Sequence, residues 1–174
     1  MLSVHARAEE QNSWFLAAEG GLESGAKFSS FGDTGTAFLA TVGWRFASDF
    51  AIEGELGHRV TYEPNFFVPN DIEIDQLSVM LNGAYVANIA QSLSLVMGIG
   101  IGLDRLTYNY PGGGPYLPFE HVDFKPAAQL KIGAEVALTD TIAATANYRT
   151  MRAFQNDFSD IDNSTFTVGL KLTF

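Results

Sequence analysis

Apolar residues recur at every second position along most of this chain, and no other feature limits its fold as strongly. The C-terminal stretch "STFTVGLKLTF" shows the pattern in its simplest form. Phe166, Val168, Leu170, Leu172 and Phe174 alternate with Thr165, Thr167, Gly169, Lys171 and Thr173. A period of two belongs to a β-strand with one apolar and one polar face. No convincing stretch follows the 3.6-residue period of a helix, so the chain reads as all-β. A terminal strand of this kind leaves a row of unpaired backbone groups that invites aggregation. Either another strand covers it or the sheet closes on itself.

Eight such segments are predicted, over residues 13–22, 36–46, 50–62, 73–86, 93–106, 122–138, 141–152 and 164–174. The connections between them alternate in length. After the second, fourth and sixth strands they are short: "ASD", "ANIAQS" and "TD". After the first, third, fifth and seventh they are long, over about 23–35, 63–72, 107–121 and 153–163. In an up-and-down sheet the short turns and both chain ends then share one side, and the four long loops share the other. That is the layout of a membrane-spanning barrel.

A soluble barrel buries its apolar face inward and a membrane barrel turns it outward, so the polar face decides between them. Strand phase puts Glu19, Glu53, Glu55, Asp104 and Glu135 on the polar face with Arg45, Arg59, Lys131, Arg149 and Lys171. The set is electrically balanced. The remaining charges, mainly in loops, rims and the N-terminal tail, carry the whole net charge of −10. Balanced charges on one face suit a confined interior, where an isolated ion is costly and ions pair. The middle of the other face holds only apolar residues and glycine, as lipid requires: a charge at the bilayer midplane costs about 2–4 kcal/mol. Eight strands enclose a lumen that side chains can fill. Aromatics near the predicted strand ends (Trp14, Trp44, Phe46, Phe50, Tyr62, Tyr85, Phe124, Tyr148 and Phe174) frame the apolar band as interfacial girdles do. The expected fold is an eight-stranded antiparallel up-and-down transmembrane β-barrel with a side-chain-filled polar interior. The fold-level rival is a soluble lipocalin-like carrier with its apolar faces inward.

Composition removes other classes. A chain of 174 residues is one domain, and 47% apolar content is too high for disorder. The acidic balance argues against nucleic acid as a partner, since no basic stripe exists to neutralise phosphates. Without Cys there is no disulfide framework and no thiol chemistry. Residues 1–11 read as a tail. Its Ala6 and Ala8 form an A-x-A pattern, consistent with the remnant of an export signal but also with an ordinary polar tail, because no apolar region precedes them. Residues 12–174 form the barrel.

The motifs that carry chemistry elsewhere do not do so here. Gly98, Gly100 and Gly102 alternate within a strand rather than open a helix, so they are small interior residues and not a dinucleotide turn. "PGGGP" lacks the Lys and Ser/Thr of a phosphate-binding loop, and "DFSDIDN" lacks the spacing and Gly of an EF-hand. His5, His58 and His121 have no evident nucleophile and acid partners, so no catalytic, metal or cofactor site is expected. Aromatics in the long loops, including Phe28, Phe31, Phe66, Phe67, Tyr108, Tyr110, Tyr116, Phe154 and Phe158, fit either a contact surface or mutual packing.

With these residues in view, the chain resembles the eight-stranded outer-membrane β-barrel family that includes OmpA-like membrane domains and bacterial surface antigens. The resemblance rests on "SWFLAAEGGL" as first strand, "TVGWRF-ASD-FAIEGELGHR" as first hairpin and "QLKIGAEVALTDTIAATANYR" as the sixth strand, turn and seventh strand. The terminal "FTVGLKLTF" is similar to the signal read by the outer-membrane assembly machinery, carried by Phe166, Val168, Leu170, Leu172 and Phe174. The resemblance implies a Gram-negative outer membrane, a cleaved signal peptide, and lipopolysaccharide and other outer-membrane lipids as neighbours. It further implies extracellular long loops and periplasmic termini. The expected function is a non-enzymatic envelope protein that presents four loops to a host or surface ligand. A narrow pore for small solutes and a lipid-A-modifying enzyme are the alternatives.

Overall fold

The computed structural model describes residues 12–24, 34–46, 49–63, 72–110, 119–154 and 161–174. They form eight strands: β1 (Ser13–Ser24), β2 (Thr34–Arg45), β3 (Phe50–Glu63), β4 (Ile72–Asn88), β5 (Leu93–Tyr110), β6 (Phe119–Ala137), β7 (Ile142–Ala153) and β8 (Ile161–Thr173). Each pairs antiparallel with its sequence neighbour, and β1 pairs with β8 from Phe15↔Thr173 to Ser24↔Ser164, closing a barrel. The C-terminal residue joins the seam, where the Phe174 amide donates to the Trp14 carbonyl at 2.9 Å. Closure removes both edges and satisfies strand backbone groups within the wall, as a hydrocarbon surround demands.

The faces divide as a membrane barrel requires. Leu95, Ile132 and Val168 are exposed on the outside, whereas Glu53 and Arg149 are buried at 4% and 1% exposure. The lipocalin-like alternative, which needs the reverse, is excluded. Outward aromatics pair across strands near the short turns: Trp14 meets Trp44 edge-on at 4.8 Å, and Phe50 lies 5.3 Å from Tyr85. Both pairs add to what area burial alone supplies.

Two features depart from the sequence reading, and a third adds detail to it. The strands run further into the long connections than alternation suggests: β5 and β6 stay paired as far as Tyr110↔Phe119, so Tyr108 lies in a strand and not in a loop. A strand of about 9–11 residues crosses a bilayer, so the 17 to 19 residues of β4, β5 and β6 project beyond it on the long-connection side. Asp162 of the acidic "DFSDIDN" run likewise belongs to β8, where Arg152 grips both its carboxylate oxygens at 2.6 and 2.7 Å. Finally, the β2–β3 turn places Asp49 in the left-handed region at φ 63°, a conformation that Asp tolerates better than most residues. Residues 1–11, with His5 and the Ala6/Ala8 pattern, lie outside the described residues, as do Phe28, Phe31, Phe66, Phe67, Tyr116, Phe158 and "PGGGP".

Candidate functional site

The lumen holds the one extensive polar constellation among the described residues, and it is layered along the barrel axis. Strand alternation sends every second residue of all eight strands into it. Nearest the short turns, Phe15, Ala51, Ala84, Val86 and Val96 form an apolar cluster. The Phe15 ring lies so close to Gly43 that a Cβ there would come within 2.2 Å of Cζ. Lys171 Nζ sits 4.2 Å from the centroid of the same ring and donates to both oxygens of Glu135 at 2.8 Å. A cation over an aromatic face with a carboxylate on its other side is held from two directions.

The next layer is ionic. Arg149 from β7 reaches Glu19 of β1 with Nη1 at 2.7 Å and Glu55 of β3 with Nε at 3.1 Å. The same Nη1 donates to Thr167 Oγ1 at 2.7 Å, and that hydroxyl donates onward to Glu19 Oε2 at 2.6 Å. Asn147 and Thr145 supply the other Glu19 oxygen, at 2.6 and 3.3 Å. Gln129 Nε2 spans Glu55 at 3.1 Å and Asn82 at 2.9 Å, and Lys131 pairs with Glu53. Glu19 and Glu55 are thus hydrogen-bonded to neutral side chains as well as ion-paired, which is the condition under which buried charges are tolerable. Small residues make the space: a Cβ on Gly133 would fall 1.9 Å from Asn147 Oδ1, and one on Gly169 would fall 2.8 Å from Glu19 Cγ.

Met80, Ala127 and Met151 form a second, smaller apolar cluster. Met151 pairs in register with Gln129 on one side and Asn163 on the other, so the cluster adjoins both the central layer and the one above it. In that upper layer Arg59 donates to Ser78 at 2.7 Å and Thr165 at 3.3 Å, with Glu23 at 3.7 Å. Asn163 donates to Gln76 at 2.7 Å, and Gln76 donates to Asp104 at 2.5 Å.

Among the ten charges assigned inward from sequence, the structure brings Glu19, Glu55 and Arg149 into one group, Lys131 to Glu53, and Lys171 to Glu135. Arg59 and Asp104 are buried in the upper layer, but the partner of Asp104 is Gln76 and not a base. Arg45 stands apart at the short-turn end, only partly buried and 3.8 Å from Asp49. Two inward charges were missed, Glu23 and Lys125, both buried. Alternation in the sequence places Glu23 in a long connection. One is an acid and the other a base, so the interior stays balanced. Phe15 was also missed, because an inward aromatic breaks the polar phase of its strand.

Two of the histidines have acid partners that sequence reading did not find. On the outer wall His58 Nε2 lies 3.0 Å from Asp75 of β4, and on the same side of β6 as the buried Lys125 His121 Nε2 lies 3.3 Å from Asp123. Both pairs depend on strand register or strand extension. No nucleophile joins either pair among the described residues, so neither forms the three-part set that acyl transfer needs. Nor do three or more His, Asp or Glu side chains there form a metal-holding group.

Against this geometry, the model for the outer membrane protein beta-barrel domain matches residues 1–174. The chain belongs to the outer membrane protein beta-barrel family. Membership makes it an integral protein of the outer membrane, with its apolar wall in membrane lipid. Solved barrels share the fold at low identity. Neisserial surface protein A aligns at a TM-score of 0.76 with 15% identity, over 95% of this chain and 100% of that one. Ail, the attachment invasion locus protein of Yersinia pestis, solved with the heparin analogue sucrose octasulfate, aligns at 0.63 with 14% identity, over 93% and 99%. The N-terminal β-barrel domain of Pseudomonas aeruginosa OprF aligns at 0.56 with 15% identity, over 94% and 98%. No curated protein sequence matches.

Proposed function

We propose that this barrel is a non-enzymatic, non-conducting anchor that holds its four long connections outside the cell, where they contact a host or surface ligand. The carrying observation is the filled lumen. An apolar layer around Phe15, the ionic layer around Arg149 and the polar layer around Arg59 succeed one another, and a solute would have to displace all three. Long connections outward and chain ends toward the periplasm follow from the length asymmetry. In this reading Phe166, Val168, Leu170, Leu172 and Phe174 also serve as the assembly signal.

Ail lends the adhesive reading its support, but charge points to a different ligand class. In segments 25–33, 64–71, 111–118 and 155–160, Lys27 is the only base, against Asp33, Asp71, Asp157 and Asp160. Phe28, Phe31, Phe66, Phe67, Tyr116 and Phe158 supply the apolar contacts. Such loops suit a neutral or basic protein surface and repel a sulfated polyanion.

Planar-bilayer recording tests the anchor reading: the protein should give no large, stable open channel. A steady conductance that changes in Arg149→Ala would replace it with the narrow-pore reading, gated by the same ionic layer. Sucrose octasulfate titrated into the detergent-solubilised protein should give no saturable binding, and tight binding would overturn the charge argument. Lipid A mass spectra should be the same with and without expression.

A further inference from the structure

Five residues on five adjacent strands form one transverse row on the outer wall: Phe38↔His58, His58↔Leu77, Leu77↔Arg105 and Arg105↔Phe124. All five side chains are exposed. The row bounds the apolar band on the long-connection side, with Val79 and Leu103 beneath it. His58 is engaged by Asp75. Arg105 is different. Its guanidinium has no ion pair or hydrogen bond among the described residues, and its neighbours in register and along the strand on the outer face include Leu77, Phe124 and Leu103.

A cation in such a frame calls for an anion from the membrane. Arginine carries its charge at every relevant pH, and its fork of donors matches the oxygens of a phosphate. At the bilayer edge it faces lipid head groups. Basic positions there recognise anionic ones.

A second observation lies just below on the same wall. Leu16, Ala40, Val42, Gly54, Leu56 and Val79 line a groove of about 530 Å³. Ala40 and Gly54 leave its floor low, while leucine and valine raise its sides. Leu56 and Val79 are each two residues from the row, at His58 and Leu77, which is about 7 Å along a strand. Groove and row therefore form one continuous surface, apolar below, with Arg105 one strand beyond its upper edge.

We propose that this surface is a binding site for a phosphorylated membrane lipid, with the phosphate on Arg105 and an acyl chain in the groove. The proposal rests on the reading that the apolar wall stands in lipid, and it adds a specific site to that wall.

Native mass spectrometry of the full chain in non-ionic detergent tests it with two probes that share their acyl chains, dipalmitoyl phosphatidic acid and dipalmitoylglycerol. One phosphatidic acid should be retained per barrel and the diacylglycerol should not. Arg105→Gln should weaken retention at least tenfold, Arg105→Lys less, and Gly54→Leu should weaken it by filling the groove. Arg152→Gln, which removes an exposed cation already held by Asp162, should change nothing. Equal retention of both probes, or undiminished binding by Arg105→Gln, would overturn the proposal. Competition by inorganic phosphate at the same concentration would overturn it in favour of a soluble anion. Insertion of each variant into vesicles, measured in parallel, separates loss of the site from loss of the lipid-facing wall.

Discussion

Arg149 illustrates how a buried charge can belong in a stable wall. It is almost wholly enclosed, and both its carboxylate partners are buried as well. Replacing such a group with apolar residues of matching shape is often harmless, but removing one partner strands the others. Arg149→Ala leaves Glu19 and Glu55 facing each other without their shared cation, and should destabilise the folded barrel by about 3–5 kcal/mol. Urea titration in detergent micelles, followed by tryptophan fluorescence, reads this loss. Lys171→Ala should cost less, because Glu135 keeps partial access to water and can be rehydrated. An equal loss in the two variants would mean that burial does not set the scale. The parity of these positions could be read from the sequence, but their partners could not. Glu55 and Arg149 meet across the lumen, and that meeting depends on how far each strand is staggered against the next.

At the scale of the strand, legibility followed the solvent. Where a strand has lipid on one side and the packed lumen on the other, alternation is strict, and the strand cores of "LSLVMGIGIGL" and "FTVGLKLTF" could be placed directly. Beyond the membrane both faces meet water or other polar groups and the alternation fades, as in "TYNY" and "FEHVD". The pairing nevertheless continues there, so the predicted strand ends fall short and Glu23 lies beyond one of them, while Lys125 lies inside the predicted sixth strand but where its alternation is weakest. On the β8 side the seam with β1 keeps the strict pattern from Ser164 onward, ending in the Phe174–Trp14 hydrogen bond. Deleting Phe174 removes that last bond together with an outward aromatic at the short-turn rim. The truncated chain should reach the outer membrane at clearly lower levels than the full chain, as measured by quantitative immunoblotting of membrane fractions. Undiminished levels would count against the C-terminal residues as an assembly signal.

At the scale of the whole molecule, closure determines how the barrel comes apart. In an open sheet the edge strands fray first, because each lacks one neighbour. Here every strand has two, and opening any one seam exposes backbone donors and acceptors to hydrocarbon on both new edges. The interior adds a second coupling, since Arg149 ties β7 to β1 and β3 across the lumen, and Gln129 ties β6 to β3 and β4. Partial openings therefore lose both kinds of contact before the chain gains appreciable freedom, so the transition should be all-or-none. Electrophoresis in dodecyl sulfate over a series of heating temperatures makes this visible. A compact, fast-migrating form should give way to a slow one over a narrow interval, with no band of intermediate mobility. Arg149→Ala should shift that interval to lower temperature without broadening it, because it weakens the common interior rather than one seam. A persistent intermediate band would show that part of the wall survives alone, and that the layers of the lumen do not bind the eight strands into one unit.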